Sequence, residues 1–240
     1  MAIYKTGKVV AAMLQDDTSL LNPFEKALLA FLKRLMSYKK SAVERWLYGQ
    51  RVTLEMSKRG IDKFLVLGAG VPTSGHVHQL LPEAKVLYVD KDPEVVQLGR
   101  EIIGDNPKVR YIKGDIIKLR DSVLPEASDF LGPNPKAGII FIGSSYFIPD
   151  DALKEVFSSL YDWSAPGSLL SLSAGIRNPN VPLPPSFKIL VFIYALTGNK
   201  TYPRTAEQLK ALAQPWKVEQ TEVIIDYGEH SKLYGYLLSK

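Results

Sequence analysis

The chain has 240 residues, 46% hydrophobic and 23% charged, a balance that supports a sizeable core and excludes a disordered polymer. It contains no cysteine, which removes disulfide staples, thiolate metal sites and cysteine nucleophiles together. The net charge of +5 is not gathered into a basic run interleaved with aromatics. It therefore reads as a lysine-rich solvated surface, and nucleic acid is not expected as a partner.

In chain order, Lys5 and Lys8 precede a short apolar run, Val9 to Leu14, too brief for a secretory leader. The longest later apolar stretch, Ile189 to Leu196, falls far below the roughly 20 residues of a bilayer span. A cytoplasmic protein without a membrane span is expected. Asn22-Pro23 reads as an N-cap followed by proline at the first helical position. Leu28, Leu29, Phe31, Leu32 and Leu35 then recur at helical spacing. A second amphipathic run covers Ala42 to Lys58 and stops at Gly60, a plausible C-cap. Residues 1–59 thus form a helical segment, expected either to cap a site or to mediate association, for example as a homodimer.

From Lys63 the texture changes to alternating strand and helix signals, expected to form one domain over residues 60–240. Phe64 to Leu67 is a buried strand feeding Gly68-Ala69-Gly70, and Lys85 to Val89 is the next, with Asp90 at its end. Asp92-Pro93 opens a helix to Ile103. Strands follow at Val109–Ile112, Gly138–Ile142 and Ser168–Ser173, with a helix from about Pro149 to Leu160 between the last two. Arg177 to Pro185, with four prolines, is a loop. Phe187 to Leu196 reads as a helix, with a buried strand as the alternative. Thr205-Ala-Glu-Gln208 is a capping-box pattern, and Lys217–Ile225 with Lys232–Leu238 predicts an antiparallel hairpin. The pattern predicts an α/β Rossmann-like fold: a mostly parallel seven-stranded sheet, helices on both faces, and an antiparallel C-terminal hairpin.

In such sheets ligands sit beyond the carboxyl ends of the strands. Four groups fall there: Gly68 to Gly70, Asp90, Asp115 and Gly143 to Ser145. Glycines let the backbone approach a ligand closely. Asp90 follows Gly70 by about the 20 residues at which an acid meets ribose hydroxyls, and a carboxylate accepts two hydrogen bonds from a diol. Asp115 can accept from an adenine amine while Ile116 packs on the ring. Pro72 removes an N–H donor where a pyrophosphate needs one, which favours S-adenosylmethionine over a dinucleotide.

Gly60-Ile-Asp-Lys-Phe-Leu-Val-Leu-Gly-Ala-Gly-Val-Pro-Thr-Ser-Gly-His-Val-His78 resembles the signature of a family of S-adenosylmethionine-dependent methyltransferase-like proteins common in actinobacteria. Ala84 to Pro93, Pro166 to Ser173 and Arg204 to Gln208 resemble further segments of that family. The likeness runs from about residue 42 to the end. It implies the class I methyltransferase fold, with Gly68, Gly70, Asp90 and Asp115 as cofactor contacts and Ser144 near the methionine part; Ala69, Lys91, Ile116 and Gly143 are expected at the cofactor beside them. The family's glycine-glycine-lysine-aspartate-asparagine stretch near the amino terminus is missing.

Ile142-Gly-Ser-Ser-Tyr146 lacks the Asp/Asn-Pro-Pro-aromatic motif of base aminomethylases. Tyr146 and Asp150 are the candidate catalytic bases by position, and His78 is expected to order the turn below the cofactor. His76 and His78 lie two apart without a carboxylate cluster, so no metal is expected. The expected activity is methyl transfer to a small-molecule or protein acceptor, the alternative being a non-catalytic module that binds the same cofactor.

Overall fold

The computed structural model describes residues 6–34, 36–182, 184–196 and 200–240. Lys5, Leu35 of the helix expected after Asn22-Pro23 and Leu183 of the proline-rich loop lie outside the described residues. The strands are β1 (Lys63–Leu67), β2 (Lys85–Asp90), β3 (Val109–Lys113), β4 (Gly138–Phe141), β5 (Leu169–Arg177), β6 (Lys217–Asp226) and β7 (Ser231–Ser239). The helices before the sheet are α1 (Thr6–Gln15), α2 (Pro23–Arg34) and α3 (Met36–Lys58). Those within it are α4 (Val77–Leu80), α5 (Pro93–Ile103), α6 (Leu119–Ser122), α7 (Leu124–Leu131), α8 (Asp150–Trp163), α9 (Pro185–Leu196) and α10 (Ala206–Leu212).

One sheet runs in the order β3-β2-β1-β4-β5-β7-β6. β1 to β5 are parallel, and β7 is antiparallel to both β5 and β6. The period-2 alternation of each strand feeds two apolar layers. Leu65, Leu67, Leu87 and Val89 meet Phe157, Trp163 and Trp216 on the α8 side. Phe64, Val66, Val86 and Tyr88 meet Tyr48, Val52 and Met56 of α3, with Val95 and Val96 of α5, on the other. Gly138 pairs with Phe64, and a Cβ on it would lie 2.7 Å from the Phe64 ring. Bare backbone at Gly138 is what leaves room for the Phe64 ring beside β4.

A third, smaller core joins Val9, Ala12 and Met13 of α1 to Leu29 and Leu32 of α2, Ala42 of α3 and Tyr194 of α9. It lies over the carboxyl ends of the strands. Half of α3 therefore packs on the sheet and half on this cover. Asn22 and Glu25 start α2 with a reciprocal box: Glu25 N–H donates to Asn22 Oδ1 at 2.8 Å, and Asn22 N–H to Glu25 Oε2 at 3.0 Å.

Three elements, β5, α6 and α7, differ from expectation. β5 runs to Arg177 rather than ending at Ser173, because β7 pairs with its whole length. Helices α6 and α7 occupy residues for which no element was expected. Their apolar positions Leu119, Val123, Ala127 and Leu131 keep helical spacing, but each helix is too short to announce itself. After β1 no helix begins until Val77. No helix among the described residues is long and apolar enough to cross a membrane.

Candidate functional site

The strand order reverses between β1 and β4, so the connections leaving them part and open a crevice at their carboxyl ends. A cavity of about 440 Å³ lies there. Its floor is the turns after β1 to β4, and its roof is α1 and α3. Of the residues expected at a site, Gly68, Ala69, Gly70, Asp90, Lys91, Asp115 and Ile116 all line it, as do Gly143, Ser144 and Tyr146.

Gly68 and Gly70 both have φ of +66°, the left-handed region that side chains avoid. A Cβ on Gly68 would sit 2.9 Å from Ser144 Oγ, so the turns after β1 and β4 touch through a missing side chain. The Gly70 N–H donates to Asp90 Oδ2 at 3.0 Å, and the Gly70 carbonyl accepts from the Tyr111 phenol at 2.5 Å. Tyr111 fits because α5 offers it Gly99, where a Cβ would lie 2.2 Å from the ring. From above, Gly7 of α1 closes on Gly70, and a Cβ on Gly7 would be 3.3 Å from the Gly70 Cα.

Asp90 Oδ1 accepts from Asp92 N–H at 3.0 Å. Burial pushes its carboxyl above the usual carboxylate range, while the two backbone donors pull it back. Each oxygen thus spends one lone pair inside the protein and keeps one for a ligand. Asp115 Oδ1 caps the following turn through Ile117 N–H at 3.0 Å, and its Oδ2 has no partner among the described residues. Gly143 N–H donates to Ser173 Oγ and Ser145 Oγ donates to the Ser173 carbonyl, each at 3.0 Å, stapling the β4 turn to β5. Ser144 Oγ between them is buried and has no partner.

The histidine reading is corrected. His76, not His78, orders the glycine turn. Thr73 N–H donates to His76 Nδ1 at 3.0 Å, so the ring is neutral with its proton on Nε2. Burial pulls His76 down to about 4, against a hydrogen bond with the Ala69 backbone. His78 Nδ1 lies instead 2.8 Å from the Tyr88 hydroxyl of β2. Among the described residues no group of three or more His, Asp or Glu side chains is placed to hold a metal.

Asp150 is a second correction. It starts α8 and its Oδ1 accepts from Arg204 Nε at 2.8 Å, off the cavity wall. Arg204 is 5% exposed and also donates to the carbonyls of Ser145 and Ile148. Asp150 is thus the counter-ion of a buried arginine that clamps the β4 turn. Tyr146 stands at the cavity, its ring 4.4 Å from Phe147, which packs on Tyr194 at 5.0 Å.

A cap was one of the two expectations for residues 1–59, but the sequence named none of its site-facing residues. Arg45, Trp46 and Gln50 of α3 line the cavity, and Trp46 Nε1 donates to the Ser74 carbonyl at 3.0 Å. The readable signal was in α1, where Gly7 and Ala11 sit four apart and present one small-residue stripe.

The solved structures similar to this chain include a candidate methyltransferase of Thermobifida fusca YX, 21% identical, TM-score 0.80, with 98% of this chain and 95% of that one covered. A DUF574 family protein of Streptomyces avermitilis MA-4680 matches at 21% identity and TM-score 0.82, covering 98% and 97%. Magnesium protoporphyrin IX methyltransferase of Synechocystis PCC 6803, with bound S-adenosylhomocysteine, matches at 15% identity and TM-score 0.55, covering 85% and 87%. These likenesses establish the class I methyltransferase fold. No curated protein matches the chain. The model of the family described as S-adenosyl methyltransferase matches residues 25–223, so the chain belongs to that family and is an S-adenosylmethionine-dependent methyltransferase.

Proposed function

We propose that the acceptor is a small molecule enclosed with the donor in the covered cavity. The observation that carries this is the roof: α1 lies on Gly70 itself, and Lys8 ties it down to Glu94 at 2.6 Å and Glu25 at 3.6 Å. A protein side chain would have to displace that helix to reach the turns below. Residues 1–59 are on this reading a cap.

The donor supplies a methyl group bonded to a sulfonium. The chain supplies position. Gly68, Ala69 and Gly70 give bare backbone against which the donor lies. Asp90 accepts from the ribose diol with its two unspent lone pairs, with Lys91 beside it at the rim. Asp115 Oδ2 and Ile116 receive the adenine. Gly143 and Ser144 flank the methionine portion, where the orphaned Ser144 Oγ supports a polar ligand, since a buried hydroxyl without a partner is costly. Tyr146 is the side chain proposed to accept or orient the acceptor's proton; Asp150 is withdrawn from that role because Arg204 holds it.

The test is transfer of a labelled methyl group onto a cell extract, fractionated by mass. Label is expected among small molecules, and Asp90→Ala should abolish both transfer and calorimetric binding of S-adenosylhomocysteine. Label confined to protein would reject the enclosed-acceptor reading. Cytoplasmic residence and a homodimer are the remaining proposals. The dimer is supported by Phe24 and Phe31, exposed seven apart on α2, and sedimentation of a Phe31→Glu variant checks it.

A further inference from the structure

Beyond the donor site, a second polar pair waits without a partner. Along β5 the odd-numbered residues face α3: Ser171 Oγ donates to the Tyr48 hydroxyl at 3.1 Å, and Ser173 pairs with Gly235, where a Cβ would lie 2.4 Å from the Tyr48 ring. Alternation gives Gly175 and Arg177 the same face. A Cβ on Gly175 would meet nothing within 4 Å, so open space separates Ser173 from Arg177. Opposite Arg177 in the register is Ser231 of β7. Arg177 Nε and Ser231 Oγ are both buried, and neither has a hydrogen-bond partner.

Arg177 as a whole is half-buried, but a buried N–H and a buried hydroxyl that both lack partners are costly to keep. The chain satisfies the neighbouring Arg204 fully, with Asp150 and two carbonyls. It offers Arg177 no carboxylate: the described residues give it no ion pair, and the residues outside that set include no Asp or Glu. The missing partner is therefore expected from outside the chain.

The position relative to the cavity says what it belongs to. Arg177 N–H donates to the Arg204 carbonyl at 3.1 Å, and Arg204 Nη1 donates to the carbonyl of Ser145, between Ser144 and Tyr146. Tyr227 N–H donates to the Ser231 carbonyl at 3.1 Å. Burial raises the Tyr227 phenol, which is hydrogen-bonded to Ser41 and within electrostatic reach of Arg45 and Tyr146, both cavity residues. Asp90, at the ribose end, stands on β2, three strands and roughly 14 Å across the sheet from β5. Arg177 and Ser231 are not part of the cavity wall; they lie beyond Tyr146, on the side away from Asp90.

We propose that Arg177 and Ser231 recognise an anionic group, a carboxylate or phosphate, carried by the methyl acceptor. This rests on the small-molecule reading above and narrows its substrate class. The guanidinium would give charge-assisted hydrogen bonds and the serine hydroxyl one more, with Gly175 leaving room for the body of the acceptor.

The experiment uses the full chain, with benzoate and phenyl phosphate as probes and benzamide as the neutral isostere. Affinity and melting temperature are measured on protein saturated with S-adenosylhomocysteine and on ligand-free protein. The anions should bind and stabilise while benzamide does not. Arg177→Met should weaken anion binding about tenfold or more, with Arg177→Lys recovering part of it and Ser231→Ala losing less. Arg177→Met without ligand should melt no lower than the parent, because it removes a buried N–H that has no partner. Equal binding of benzoate and benzamide would overturn the proposal, as would a Met variant that melts lower yet keeps its anion affinity. If Arg177→Met weakens S-adenosylhomocysteine instead, the anion is the donor's own carboxylate and the acceptor assignment fails. Should the parent not bind S-adenosylhomocysteine, the donor site is what fails, while anion binding to ligand-free protein still decides Arg177.

Discussion

His76 shows how one side chain can hold a glycine turn without touching the ligand. Its Nδ1 takes the Thr73 N–H, which requires the neutral ring, and burial drags its pKa from 6.5 to about 4. The unfolded chain keeps the ordinary value and takes up a proton first as pH falls. Stability from His76 is therefore complete above about pH 6.5, declines as pH falls toward 4, and is lost by at most about 3 kcal/mol there. Urea midpoints at pH 7 and pH 4.5 check this. His76→Asn, whose side-chain oxygen can still accept from Thr73, should flatten the part of the slope that belongs to this ring; an unchanged slope would refute the assignment. Asp90 works in the opposite sense, since burial raises it and its ionised form costs stability as pH rises. That cost marks a carboxylate kept for binding. Asp90 was legible in the sequence because strand end and spacing are local features. His76 was not, because the two histidines differ only in which contacts the turn's path gives them.

At the scale of elements, α1 is held by an apolar stripe and one cation. Lys8 is 7% exposed, and Glu25 beneath it is 1% exposed. Burial works against the Lys8 charge, but the hydrogen bond to Glu94 and the carboxylates of Glu25 and Glu94 more than offset it and raise its pKa. Lys8→Met keeps the stem and strands Glu25 without that cation, a loss expected near 3 kcal/mol. Adding Glu25→Gln should recover much of it, since glutamine can still complete the box with Asn22. Urea unfolding of the three variants reads this directly, and additive losses would show that the two residues act separately. The strands and the long helices were readable from periodicity, and the Asn22-Pro23 and Thr205–Gln208 starts from capping chemistry. What escaped was short or tertiary: α6 and α7 span little more than a turn or two each, and β5 past Ser173 exists because β7 pairs with it. Asp150 was misread for the same reason. Its position at a helix start near the site is local, whereas Arg204, which claims it, arrives 54 residues later.

The whole molecule is two bodies of unequal strength sharing one cavity. The sheet is buried on both faces by layers running from Leu65 to Trp216 and from Phe64 to Val96. Among the described residues the cover is held by the small core of α1, α2, α3 and α9, the Lys8 pins and the Trp46 hydrogen bond to Ser74. Opening free energy follows buried apolar contact, so the cover should open at a cost well below global unfolding. Such opening is also what a donor needs to enter a cavity roofed by Gly7 on Gly70. A ligand bound beneath the roof stabilises the closed state by mass action, and adds little to strands already protected up to the global limit. Hydrogen exchange should therefore slow selectively in Thr6–Gln15 and the first half of α3 when S-adenosylhomocysteine is added, with the inner strands β1 and β4 unchanged. Uniform slowing across the chain would mean that the cover and the sheet open as one unit. No change in α1 would mean that the donor enters by another route, leaving the helix as fixed structure rather than a door.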